Sequence, residues 1–428
     1  MLKWQRLSVA FLLVQGNQAF GIVDRLVYGE WEGKPGDKLT QSLNLLAIVL
    51  SFALLARGLR RIRTIRRGAI FLLIITGFLA CSFAWSINPQ TTVRESFLDL
   101  VATVGWIGIA TTIDPDEYLK LAARMTFLAA VASLMLLVVS PSSAIAVGQD
   151  SMDFRGIFSQ KNVLGEAMAI GAIAQLHCLS IRKKGRVFEG FCLALTMVVA
   201  LMSKSATSCL VIFVCCVAHI VIAPIRRGGA ARVLGVAVLA CIIPAVVVGA
   251  AFPDSILELL GKDPTLTGRT EIWAYVINDI SMKPLLGWGY EAFWGGNNPA
   301  AIEISDAVHW TVPQAHNGLL EMLLQVGFVG SVLYLALLVR MIWLSIRCMR
   351  SYWAPLGVTT LLGCVAVILT GVSEAVLLAP FEASTGLFVV TGLFCERALH
   401  TAGRRQRRLY SAIHPNEILQ PAQVESGL

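Results

Sequence analysis

The chain has 428 residues, 56% of them apolar and only 14% charged, with a mean hydropathy of +0.71 and a net charge of +8. That balance excludes an ordinary soluble domain. An apolar run of about 20 residues can cross the hydrocarbon core as a helix, and backbone groups in lipid must be satisfied within the segment. The alternating pattern of a barrel is absent, so the fold class is all-α: a polytopic integral membrane protein.

Taken in chain order, twelve spans are expected near 6–23, 42–59, 69–87, 97–113, 125–147, 162–181, 188–205, 208–225, 233–252, 318–346, 356–378 and 384–399. The first follows Lys3 and Arg6, and with no small-residue cleavage site behind it, it is kept as a span. Only SKSATS separates the seventh and eighth, which are read as two spans or one re-entrant pair. The clusters RRIRTIRR (60–67), RKKGR (182–186) and RRQRR (404–408) fall on one side. By the positive-inside rule that side is cytoplasmic, and topology rather than nucleic acid accounts for the net charge. Residues 1–400 then form one transmembrane domain, with a long outward loop at 253–317. Residues 401–428 form a polar cytoplasmic tail, expected to be disordered. No transporter-like repeat is visible, and the spans read as nearly free of ionisable residues. Ten cysteines lie in or beside apolar runs with no CxxC spacing, so neither disulfides nor a metal site is expected, and no cofactor.

Three outward stretches carry a base or a cation. In DFRGIFSQKNVLGE, Ser159 or Asn162 is a candidate N-cap for the sixth span. Arg155 and Lys161 sit at that helix start, where they oppose the dipole unless an anion lies between them. The alternative is that both reach out to lipid head groups. The second stretch, Leu266–Ile280, has apolar residues at 272, 273, 276, 277 and 280. It reads as an amphipathic helix lying on the membrane face or packed under the loop, capped by Thr267 and stopped by Pro284. Arg269 falls in its first turn; it can pair with Glu271 or grip a phosphate bidentately, which Lys cannot do. In the third, QAHNGLLEM, His316 and Asn317 open the tenth span. His316 suits proton transfer from a hydroxyl and Asn317 suits a cap, though a plain interfacial histidine is equally compatible. Lys204 is a further outward cation. Trp288, Tyr290, Phe293 and Trp294 read as interfacial anchors, and Glu374 or Glu382 as partners for an outer Arg.

These stretches, RGIFSQKNVLGEAMA, SKSATS, GRTEIWAYV, PLLGWGYEAFW and AHNGLLEMLLQVG, resemble the O-antigen ligase and Wzy-type polysaccharide polymerase superfamily. The likeness runs from roughly Phe154 to Phe328 and is nearest to exopolysaccharide polymerases of the succinoglycan type. It implies a metal-independent, inverting glycosyltransferase with a GT-C-like fold. Such an enzyme would polymerise undecaprenyl-pyrophosphate-linked oligosaccharide repeat units into exopolysaccharide, at the periplasmic face of a bacterial inner membrane. Ligation to lipid A-core, or transport of a lipid-linked glycan, are the competing functions. Carried over by position, Arg155 and Arg269 would hold the pyrophosphate, with Lys161 in support, and His316 would serve near the acceptor. Asn317 and Lys204 complete the expected substrate contacts. A chain-length regulator and a flippase of the same pathway are implied partners.

Overall fold

The structure, a computed structural model, describes residues 3–16, 38–147, 152–182, 184–227, 269–295, 298–375 and 383–413. Its helices are α1 Lys3–Gly16, α2 Lys38–Gly58, α3 Arg66–Cys81, α4 Pro89–Thr112, α5 Pro115–Val139, α6 Lys161–Ile181, α7 Arg186–Met202, α8 Ala206–Arg227, α9 Arg269–Met282, α10 Pro299–Ala307, α11 Gly318–Met349, α12 Ala354–Gly371 and α13 Ala383–Ile413. Each expected span but the ninth overlaps one of these; the ninth, 233–252, with 17–23 of the first and 376–378 of the eleventh, lies outside the described residues. Among the described residues, four stretches are long and apolar enough to cross a membrane: Gln41–Ala84, Pro115–Val139, Lys161–Ile181 and Gly318–Met349. Ala206–Ile222 and Ala354–Thr370 are shorter apolar helices.

Four expectations change. The fifth span stops at Val139 rather than 147, because Pro141 drives Ser140 out of helical geometry (φ −145°, ψ 80°). A helical turn and a small antiparallel ladder follow, β1 Ile145–Val147 against β2 Met152–Phe154, with Ile145 opposite Phe154. The all-α reading therefore gains two three-residue strands. The last helix continues to Ile413, so the stretch after 400 begins as helix. The spans also hold more ionisable groups than expected. Asp99 is buried inside α4, where Thr76 Oγ1 donates to it at 2.8 Å beside a cavity of about 30 Å³, room for one water.

The centre of the bundle is α6, whose apolar window is 78% buried. Its run of Gly165, Ala167, Ala169, Gly171, Ala172 and Ala174 lets α5, α7, α8 and α12 approach closely. Its C-terminal end, roughly 30 Å from Lys161, is closed by ion pairs. Glu189 meets Arg124 at 2.6 Å and Arg182 at 2.7 Å. A second such node joins three other helices: Glu396 binds Arg340 at 2.7 Å and accepts from Gly68 N at the start of α3 at 3.0 Å.

The helix α11 is interrupted at Gly327 (φ 63°, ψ −167°). The turn at 284–289 enters the gap. Trp288 N and Gly289 N donate to Leu324 O and Gln325 O at 2.9 Å, while Phe328 N and Val329 N donate to Pro284 O and Leu285 O at 2.9 and 3.1 Å. Two carbonyls and two N–H groups beside the break thus find partners, as burial in an apolar span requires. Both contact points need glycine: a Cβ at Gly287 or Gly327 would lie 2.4–2.5 Å from backbone atoms of the other segment. This splice fixes the 284–289 turn to α11.

Candidate active site

The stretch before α6 is pinned from below by Phe154 and Phe158, both buried, and by the ladder. Arg155 N and Gly156 N both donate to Ala144 O, at 3.0 and 3.1 Å. Neither Ser159 nor Asn162 caps the helix. Gln160 occupies the N-cap in extended geometry (φ −141°, ψ 159°) and makes no side-chain cap bond. Lys161 instead pairs with Asp153 at 2.9 Å. Arg155 Nε is buried and has no hydrogen-bond partner among the described residues. Lys204 adopts φ 56° between α7 and α8, and its Nζ lies 3.5 Å from Met152 O, so it leans on the same stretch.

Arg269 is the first residue of α9; Thr267, its expected cap, lies outside the described residues. The helix is packed under the loop rather than spread on a membrane face. Ile272 and Val276 are buried against α11, and Trp273 Nε1 donates to Ala315 O at 2.9 Å; Ile277 stays exposed. The aromatic segment also turns inward, contrary to the anchor reading. Tyr290 and Phe293 are fully buried, Trp288 Nε1 donates to Asp279 O at 2.9 Å, and Trp294 Nε1 donates to Glu321 at 2.7 Å. Indole N–H groups carried below the surface need such acceptors.

Asn317 caps α11 as expected, accepting from Leu319 N and Leu320 N at 3.1 and 3.2 Å. His316 precedes it with φ 49°, a left-handed conformation uncommon for residues other than glycine. Its side chain is 15% exposed and its ring sits 5.9 Å from that of Trp310.

All these helix starts meet at one turn, Ser373–Glu374, just after α12. Arg269 Nη1 donates to Ser373 O at 3.1 Å and its Nη2 lies 3.5 Å from Glu374 Oε1. Asn162 Nδ2, in the first turn of α6, donates to Glu374 Oε1 at 2.8 Å. Thr207, in the first turn of α8, shares a 2.6 Å hydrogen bond with Ser373 Oγ. Gln314 Nε2 donates to Glu374 Oε2 at 3.0 Å, and His316 Nδ1 lies 3.5 Å from the same oxygen. Side chains from the starts of four helices therefore meet at this turn, three of these starts reaching the Glu374 carboxylate and the fourth, through Thr207, reaching Ser373. Arg269 and His316 are brought together; Arg155, Lys161 and Lys204 share the stretch before α6, whose first turn supplies Asn162. From the sequence Glu374 was legible as a possible partner for an Arg or an alternative base; its place as the common node, and the parts of Gln314 and Thr207, were not. Glu382 lies outside the described residues.

A second, half-buried acidic group supports the loop. Glu291 adopts φ 55°, its N–H donates to Gln325 Oε1 at 3.0 Å, and loss of water pushes its carboxyl up to about 8, with Glu321 and Glu95 adding in the same direction.

Residues 191–335 match the model of the O-antigen ligase family, Wzy_C. The match covers Lys204, Arg269, His316 and Asn317; Arg155, Lys161 and Glu374 lie beyond it. The chain is 26% identical over 282 residues to the exopolysaccharide production protein ExoQ of Rhizobium meliloti, covering 63% of each chain. It is 31% identical over 83 residues, 19% of this chain and 20% of the other, to a protein of Rickettsia felis whose name carries the words polysaccharide ligase. The chain thus spans less than two thirds of the length of either relative. The resemblance carried by the motifs is shown by these matches.

Proposed function

We propose that this chain is a membrane glycosyltransferase that joins lipid-linked glycans, and that its reaction is polymerisation of undecaprenyl-pyrophosphate-linked repeat units. Twelve crossings, a periplasmic site and an inner-membrane location belong to the same proposal. The observation that carries it is the convergence of four helix starts, Arg269 and His316 on the Ser373–Glu374 turn.

The chemistry follows from the charges. The acceptor hydroxyl oxygen forms a bond to the anomeric carbon while the bond from that carbon to the pyrophosphate oxygen breaks, and its electron pair leaves on the pyrophosphate. Negative charge therefore develops on the leaving group, where fixed guanidinium and helix N–H groups stabilise it without having to reorganise. Arg269 and Arg155, whose buried Nε has no hydrogen-bond partner among the described residues, are the groups assigned to that charge, with Lys161 and Lys204 in support. His316 Nδ1 faces both Gln314 Nε2, which can donate to it at 3.4 Å, and Glu374 Oε2 at 3.5 Å; in this reading Nδ1 carries a proton and turns to Glu374 when substrate binds, and Nε2 takes the hydroxyl proton. The present 3.5 Å separation is longer than a hydrogen bond, and such contacts often tighten only once substrate is bound. A single in-line displacement inverts the anomeric centre. Arginine in place of a metal makes the reaction independent of divalent ions.

The test is reconstitution of the purified chain in proteoliposomes with a lipid-linked repeat unit, with and without EDTA. A ladder of products in both conditions supports polymerisation. Transfer of a single glycan to a lipid core only would make the protein a ligase. Movement of the substrate across the bilayer without any new glycosidic bond would make it a transporter. Loss of activity in EDTA, restored by one divalent ion, would overturn the arginine-based mechanism.

A further inference from the structure

Glu321 sits one turn inside α11 and is only 3% exposed. Its carboxylate accepts three hydrogen bonds, all from neutral donors. Oε2 accepts from Ala315 N at 2.6 Å; Oε1 accepts from Trp294 Nε1 at 2.7 Å and from Gln325 Nε2 at 2.6 Å. Donors face both of its oxygens, so an amide of the same shape cannot replace it: its NH₂ would meet a donor at either end. The carbonyl of the same Ala315 is taken by Trp273 Nε1 at 2.9 Å. Both polar backbone groups of the residue before His316 are therefore held by side chains, and Ala315 itself is fully buried. The next residue is the one forced to φ 49°. A left-handed non-glycine residue persists where its surroundings over-determine it. Trp273 follows Arg269 by four positions on α9, so the two project from the same face. The indole N–H thus ties the helix that carries the guanidinium directly to the segment that carries the imidazole.

We infer that Glu321 and Trp273 are positioning residues: by gripping Ala315 at its N–H and C=O, they set the aim of His316 and its distance from Arg269. The inference rests on the catalytic reading of His316 given above. Neither residue is assigned a contact with substrate. Their removal should act on turnover rather than on donor affinity, because a misplaced base costs rate through geometry.

The experiment uses the full chain in proteoliposomes and the lipid-linked repeat unit, with turnover and donor KM measured separately. In E321Q turnover should fall at least about tenfold with donor KM changed less than about twofold. The E321Q/Q325E double variant should recover part of that loss. The amide introduced at position 321 can then accept from Ala315 N–H through its oxygen, while its NH₂ donates to the carboxylate introduced at position 325. The H316A/E321Q double variant should be no slower than H316A alone, as expected for residues acting through one group. W273F keeps an aromatic ring and removes the donor. It should show the same split between turnover and KM, and it decides the question if E321Q is not produced as folded protein. Wild-type turnover in E321Q or W273F, or an E321Q effect that persists undiminished in the H316A background, would overturn the inference while leaving the base intact. Wild-type turnover in H316A would overturn the catalytic reading itself, and this inference with it.

Discussion

His316 combines three features that rarely coincide by chance: a left-handed backbone, a carboxylate facing one ring nitrogen, and an aromatic ring beside it. The left-handed conformation costs roughly 1–3 kcal/mol and tends to survive at functional positions. Loss of a base of this kind slows turnover by about 10²–10⁴-fold. H316A should therefore fold, retain donor binding, and turn over at least about a hundredfold more slowly. His309 provides the control, being exposed with no contact to the Glu374 node among those described, and H309A should be close to wild type. Full turnover in H316A with loss in H309A would exchange the two assignments. Arg269 offers a separate check. R269K keeps the charge but loses the planar fork, so most activity should disappear while the protein level stays normal. Wild-type rates in R269K would reduce Arg269 to a partner for Ser373 and Glu374.

At the scale of elements, the described part of the loop before α11 is held by the packing of α9 and by the splice into α11. A methyl group at Gly327 would have to share space with the Leu285 carbonyl at 2.4 Å while φ stays at 63°. Neither condition can relax without opening the four backbone bonds that join the segments. G327A should lower the melting temperature of the detergent-solubilised protein by several degrees or abolish folded monomer on size exclusion, whereas G77A, where a Cβ meets nothing, should do neither. The loop should also carry a pH dependence. The Glu291 carboxyl is raised from 4.5 to about 8, so the folded state binds its proton more tightly than the unfolded state does. Stability from this group is fully present below about 4.5 and falls as pH rises through about 8. Melting temperatures taken from pH 5 to 8.5 should decline, and E291Q should flatten the decline; an unchanged slope in E291Q would assign it to other groups. What the sequence made legible here was the amphipathic period of α9 and the cap at Asn317, both local patterns. The inward turn of Trp288 and Trp294 was not, because interfacial and buried indoles share the same composition and differ only in whether an acceptor such as Asp279 O or Glu321 waits beneath.

Across the whole molecule, hydropathy located the helices because lipid permits so few alternatives for the backbone. Their convergence was less visible: Asn162, Thr207, Arg269, His316 and Glu374 are spread over roughly half the chain, and only packing around α6 brings them to one turn. Sidedness is the remaining expectation, and it can be tested on one helix. α11 runs 32 residues from the candidate site to Met349, long enough to cross the bilayer, with the loop helix α10 near its start and the exposed Tyr352 just beyond its end. If basic clusters fix orientation, α10 faces the periplasm and Tyr352 the cytoplasm. In a background with the exposed Cys81 replaced, a cysteine at the exposed Glu303 should react with a membrane-impermeant maleimide in cells with a permeabilised outer membrane, and a cysteine at Tyr352 should react only after the inner membrane is opened. Labelling of both sites in closed cells would mean that α11 does not cross. The reverse pattern would put the Glu374 node in the cytoplasm, where an acceptor glycan growing outward could not reach His316.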